Sequence, residues 1–103
     1  MMYKYKYMFD QKTKKVTVCD DLLEWVKYME TADRIVAKDK VEETTVLTVF
    51  LGINQNWGGG DPILFQTMIF GGEFNKFQEQ HTSYEEALKG HKRALKKVKG
   101  NKS

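Results

Sequence analysis

Between two apolar stretches the chain carries Asn54-Gln55-Asn56-Trp57-Gly58-Gly59-Gly60-Asp61-Pro62. These residue types suit recognition better than reaction. Three consecutive glycines let the backbone approach a ligand closely, or turn several N–H groups toward an anion. Trp57 offers a flat apolar platform for a ring or base. Asn54, Gln55 and Asn56 supply amide donors and acceptors, and Asp61 can take a hydroxyl or a cation. The run has neither G-x-G-x-x-G opening a helix nor GK[ST], so it is no nucleotide fingerprint. The plain alternative is a hairpin connection with Trp57 folded back onto the core.

His81 and His91 are the only histidines. Ten residues apart and without a cysteine cluster, they have no metal-ligand spacing, and no metal or cofactor is expected. His91 falls on the apolar stripe of the last expected helix. There it either bonds a buried carbonyl or lies under a sheet as a proton donor tuned by burial. His81, just ahead of the helix cap, reads as exposed. Cys19 adjoins a helix start, where thiolates are stabilised, but it follows Val18 at a strand end and reads as buried filler. There is no nucleophile elbow, and Glu42-Glu43 and Glu85-Glu86 have surface or capping explanations. No catalytic residue is assigned, and the reading leans away from an enzyme.

Local patterns define the elements that must position these groups. Tyr3, Tyr5, Tyr7 and Phe9 alternate with Lys4, Lys6 and Met8, a period of two that favours a strand. Residues 15–19 alternate again, so an N-terminal hairpin is expected. Asp20 or Asp21 can cap a helix ending near Thr31. Residues 34–38 read as a short strand, 44–53 as an apolar one, and 63–70 as the next, ended by Gly71-Gly72. Residues 73–81 read as irregular. Ser83 with Glu86 has capping-box spacing. The helix that follows places Tyr84, Leu88, His91, Leu95 and Val98 on one face. Gly90 in its middle costs about 1 kcal/mol relative to alanine, which implies close packing of the backbone there. The expected fold is α+β: a mainly antiparallel sheet of about five strands with both helices on one face. The other face is then wet or covered by a partner, and self-association as a homo-oligomer is expected.

The 103 residues include 30% charged and 41% hydrophobic side chains, a balance that excludes disorder and long apolar spans. The division is residues 1–98 as one α+β domain and 99–103 as a basic flexible tail. From Ala87 onward there are seven basic residues and no acidic one, while the remaining ten basic residues face fourteen acidic ones. Such an asymmetry marks an anionic partner or a solvated helix end. Strict alternation puts the N-terminal lysines opposite the tyrosines, so one surface cannot use both for nucleic acid. A lone cysteine and no signal-type segment read as cytoplasmic, with no membrane.

Residues 48–72, TVFLGINQNWGGGDPILFQTMIFGG, resemble a family of short phage- and prophage-encoded proteins of unknown function. The shared pattern is a TVFLG strand, a Gly-rich loop ending in proline, and an LF-x-TM-x-FGG strand. Downstream, Tyr84-Glu85-Glu86-Ala87 and Gly90-His91 resemble that family's helix. Relatives often carry Asp-His where this chain has Asn54-Gln55, and Glu where it has Gln66, a departure that weighs against catalysis. The resemblance implies phage origin and a host cytoplasm, without implying a reaction. The expected function is therefore an accessory protein that binds, taking a nucleotide-like small molecule or blocking a host defence protein. The site expected is Asn54, Asn56, Trp57, Gly58, Gly59, Gly60, Asp61 and His91. A nucleic-acid module on the basic C-terminal helix is the first rival, a small hydrolase using His91 or His81 with Asp61 the second, and a virion or assembly component the third.

Overall fold

The computed structural model describes residues 6–56 and 60–100. In chain order the elements are β1 (Tyr7–Asp10), β2 (Lys15–Val18), α1 (Leu22–Thr31), β3 (Ile35–Val41), β4 (Thr44–Phe50), β5 (Phe65–Phe70), β6 (Gln78–His81) and α2 (Tyr84–Gly100). The fold is α+β, with two helices and antiparallel strands. The described strands form a two-stranded sheet, β1-β2, and a four-stranded sheet in the order β3-β4-β5-β6.

Local chemistry sets the element ends. The Asp21 carboxylate accepts the N–H groups of Leu23 and Glu24 at the start of α1, satisfying donors that have no partner inside the helix. Ser83 Oγ accepts from Glu86 N–H at the start of α2. Asp10 Oδ1 accepts from Lys12 and Thr13 in the β1–β2 turn. The last helix runs to Gly100, two residues past the expected boundary; residues 101–103 of the expected tail lie outside the described residues.

The hairpin is tied to the end of β4 by the Lys6–Ile53 bridge and by Tyr7 N–H donating to Gly52 O. Tyr28 on α1 clamps it from the other side: its hydroxyl accepts from Phe9 N–H and donates to Phe9 O. Phe9, Phe50 and Phe65 meet there, with ring centroids 5.4–5.6 Å apart. Burying rings of this size contributes about 1.5–3 kcal/mol each. Val46, Ile69, Ala94 and Val98 form a second cluster beneath α2.

Both helices lie on one face of the four-stranded sheet: α2 over its middle, α1 near Phe50 at its end. Residues 73–81 are not wholly irregular, because Gln78–His81 pair with β5 as a polar edge strand. The buried stripe of α2 is Ala87, Gly90, His91, Ala94 and Val98. Leu88 and Leu95, expected on that stripe, stay only partly buried. Small residues occupy the stripe because the helix backbone sits close to the sheet.

Candidate functional site

The β4–β5 register sets Thr48 opposite Thr67, and the β5–β6 register sets Phe65 opposite His81. Thr48 and Thr67 both face α2 and are fully buried. Their hydroxyl oxygens lie 2.6 Å apart. Thr48 Oγ1 also lies 2.8 Å from His91 Nδ1, and His91 Nε2 lies 2.8 Å from Asp39 Oδ2. At the other end, Thr67 Oγ1 lies 2.9 Å from His81 Nε2. Five side chains from β3, β4, β5, β6 and α2 thus form one chain: Asp39, His91, Thr48, Thr67, His81.

The direction of these bonds follows from the carboxylate. Asp39 only accepts, so His91 Nε2 carries the proton toward it. In a neutral His91 ring Nδ1 is then an acceptor, and Thr48 O–H donates to it. The Thr48 oxygen accepts from Thr67 O–H, and Thr67 accepts from His81 Nε2–H. Both tautomers are thereby assigned. Among the described residues every fully buried side-chain nitrogen and oxygen has a partner, as expected where an unmade hydrogen bond costs more than a made one contributes.

His81 is 4% exposed, not open to solvent as its position ahead of the helix cap implied. Gly90 is the cause: a Cβ at that position would overlap the His81 ring. The helix backbone rests on the imidazole, so the glycine singled out by its helix cost has a contact to explain it. Burial pushes the His81 pKa below its usual 6.5; Glu79 and Glu86 pull it up and Arg93 pushes it further down.

Asp39–His91–Thr48 has the residue types of a nucleophile–base–orienter set. However, the Thr48 hydroxyl is sealed between sheet and helix, and no substrate atom can reach it. His91 bonds a hydroxyl and a carboxylate; no carbonyl takes either ring nitrogen. The arrangement can lock register and tautomer; of its five side chains only that of Asp39, 50% exposed, is open to solvent.

The described ends of the glycine-rich loop hydrogen-bond to one another. Asn54 is buried, and its Oδ1 accepts the N–H groups of Asn56 and Ile63. Asn56 Nδ2 donates to Asp61 O. Gly60, at φ +87°, and Asp61 are exposed. Trp57, Gly58 and Gly59 lie outside the described residues. No hydrogen bond joins Asn54 to His91: one ties the loop, the other ties the sheet to α2.

A different place combines rings and charge. Phe74 and Phe77, from the β5–β6 connection, line a cleft of about 690 Å³ together with Glu79 and with Arg93, Lys96 and Lys97 of α2. Lys97 Nζ lies 5.2 Å from the Phe74 ring centroid and 5.5 Å from that of Phe77. Arg93 Nη2 is 3.1 Å from Glu79 Oε2. The helical spacing of Arg93, Lys96 and Lys97 was legible, but the rings belong to a segment that reads as featureless. No group of three or more His, Cys, Asp or Glu among the described residues is placed to hold a metal ion. No helix among them is long and apolar enough to cross a membrane. No family model, curated protein or solved structure matches the chain.

Proposed function

We propose that this chain is an accessory protein that acts by binding, and that it takes a small anion of nucleotide type in the cleft between Phe74, Phe77 and α2. The observation that carries the reading is the make-up of that cleft: three cations and two phenyl rings against one carboxylate, Glu79. Its volume falls within the roughly 300–1,000 Å³ of small-molecule sites. Phosphate groups suit Arg93, Lys96 and Lys97, and a base suits the rings. The sealing of Thr48 and Thr67 supports binding over catalysis. The phage-type pattern of residues 48–72 supports an accessory role in a host cytoplasm, where such a ligand is sequestered or a host factor blocked.

Calorimetric titration of the full chain with AMP and ATP tests this. Saturable heat is expected for the native chain and for Trp57→Ala, with loss in Lys96→Glu/Lys97→Glu. Loss in Trp57→Ala alone returns the site to the glycine-rich loop, and no heat with either nucleotide removes the reading. The seven basic residues after Ala87 favour one rival, a nucleic-acid module on the same helix. That rival requires oligonucleotide binding that weakens steeply with salt.

A further inference from the structure

Each bond in the row from His81 to Asp39 holds one proton: His81 Nε2–H, Thr67 O–H, Thr48 O–H and His91 Nε2–H. All of them point the same way, toward the carboxylate. Both nitrogens of His91 are engaged, Nε2 with Asp39 and Nδ1 with Thr48, so that ring has no free lone pair for a proton from water. His81 differs. Its Nδ1 makes no hydrogen bond, and every fully buried side-chain nitrogen among the described residues has a partner, so this atom keeps contact with water within the residue's 4% exposure. The charges around the two rings differ as well. His91 faces the Asp39 carboxylate of β3 at 2.8 Å. Lys38 and Lys40 alternate to the other side of that strand, and β4 and β5 carry no charged residue. Ala87, Leu88, Ala94 and Leu95, a turn away on α2, are uncharged, and Glu79 of β6 pairs with Arg93. His81 has Glu79 on its own strand and Glu86 and Arg93 on α2 near it, but its ring is hydrogen-bonded only to the Thr67 hydroxyl.

We propose that these five side chains form a pH-sensitive proton relay: a proton taken from water at His81 Nδ1 is delivered as positive charge to His91 beside Asp39, and His81 is left neutral in its other tautomer. Each step is a shift along an existing bond. His81 passes its Nε2 proton to the Thr67 oxygen, Thr67 passes its hydroxyl proton to the Thr48 oxygen, and Thr48 passes its own to His91 Nδ1. Each hydroxyl gives one proton and gains one. The network ends with one proton more than before: His91 carries two, and His81 keeps one, on Nδ1. Every bond still has a donor and an acceptor, so the tie between sheet and α2 survives the change of charge. The charge settles where a carboxylate lies 2.8 Å away, not in the His81 ring, where burial opposes it. A second proton fits less well. With both rings charged, the Thr67 oxygen faces N–H from His81 and O–H from Thr48, and its own proton has no acceptor in the row. Acid therefore changes the charge at one end of the network and only the tautomer at the other.

Proton–nitrogen correlation NMR of the isotope-labelled full chain tests the proposal, because ring nitrogen shifts report both tautomer and charge. The two histidines give two ring patterns. At the alkaline end of a titration from about pH 8 to 5, both rings should carry their proton on Nε2. As acid is added, His91 should gain a second proton while His81 stays neutral and moves its proton from Nε2 to Nδ1, with one shared midpoint. Thr48→Val removes the hydroxyl that joins the two halves, so the His81 tautomer should then be the same before and after His91 charges. Asp39→Asn, at the exposed end, removes the anion and keeps an acceptor; both changes should need more acid and still coincide. Circular dichroism confirms the fold of each variant, and Asp39→Asn carries the test if Thr48→Val does not fold. His81 holding Nε2–H while His91 charges overturns the proposal. So does a His81 ring that charges before His91, a His91 ring neutral across the range, a His81 switch that still follows His91 in Thr48→Val, or midpoints that separate in Asp39→Asn. None of these outcomes depends on nucleotide binding, so either proposal can fail alone.

Discussion

On β4, Val46, Thr48 and Phe50 are buried beneath helix or hairpin, whereas Thr45, Leu47 and Val49 between them keep part of their surface exposed. The two sets are nearly alike in composition, each with one threonine among apolar residues. Their surroundings differ completely. On the covered face the Thr48 hydroxyl lies against Thr67 and His91 and has no water to fall back on. On the uncovered face a hydroxyl or amide can be solvated, and the exposed hydrogen bond from Gln80 Nε2 to Gln66 Oε1, 3.3 Å long, competes with water. The contrast teaches that burial decides what a strand hydroxyl must do: on the covered face it is held in a fixed network, and on the bare one water can satisfy it.

Substitutions of like kind on the two faces sharpen that contrast. The largest loss is expected for Gly90→Val, which drives side-chain atoms into the His81 ring. A cost of about 3 kcal/mol should appear as a lower urea midpoint. Gly90→Ala should also destabilise, although helix propensity alone favours alanine by about 1 kcal/mol; stabilisation by alanine would mean that the His81 ring is not wedged there.

Thr48→Val keeps the shape but strips His91 Nδ1 of its donor and Thr67 of its acceptor. A loss of about 2–3 kcal/mol is expected. Thr45→Val, the same change on the bare face, should stay within about 0.5 kcal/mol. Equal effects in the two variants would dissolve the distinction between the faces.

A pH dependence comes next. Burial lowers the His81 pKa from 6.5, so between the folded and unfolded values the unfolded chain holds more protons. The stabilisation is complete above about pH 6.5 and declines as pH falls below it. Protonated His81 can still donate Nε2–H to Thr67, so desolvation of the charge drives this decline. Removing Arg93, which lowers the same pKa, should make the decline shallower. Urea midpoints measured across this range in the native chain and in Arg93→Gln check the sign; a flat profile for the native chain would contradict it. The smallest stability change is expected for Met68→Lys on the bare face, within about 0.5 kcal/mol by the same urea midpoints.

Much of the fold was legible because its causes are local. The alternation in the hairpin, the Asp21 and Ser83 caps and the stop at Gly71-Gly72 each depend on a few neighbouring residues. The strand Gln78–His81 escaped notice because it is a polar edge, with no apolar alternation to announce it. His81 looked exposed for the same reason. Of the candidate site, Arg93, Lys96 and Lys97 were visible as a basic helix face, but nothing nearby in the sequence tied Phe74 and Phe77 to them. Thr48 and Thr67 read only as strand formers.

The amino-acid sequence by itself determined the periods, the caps and the demand for close backbone approach at Gly90, because these arise within a turn or two of chain. Which side chains meet was decided only by tertiary structure. Asp39, Thr48, Thr67, His81 and His91 come from five separate elements, and their convergence depends on strand register and on where α2 settles. Those are non-local choices, made when the sheet and helix bury one face together and leave the other bare.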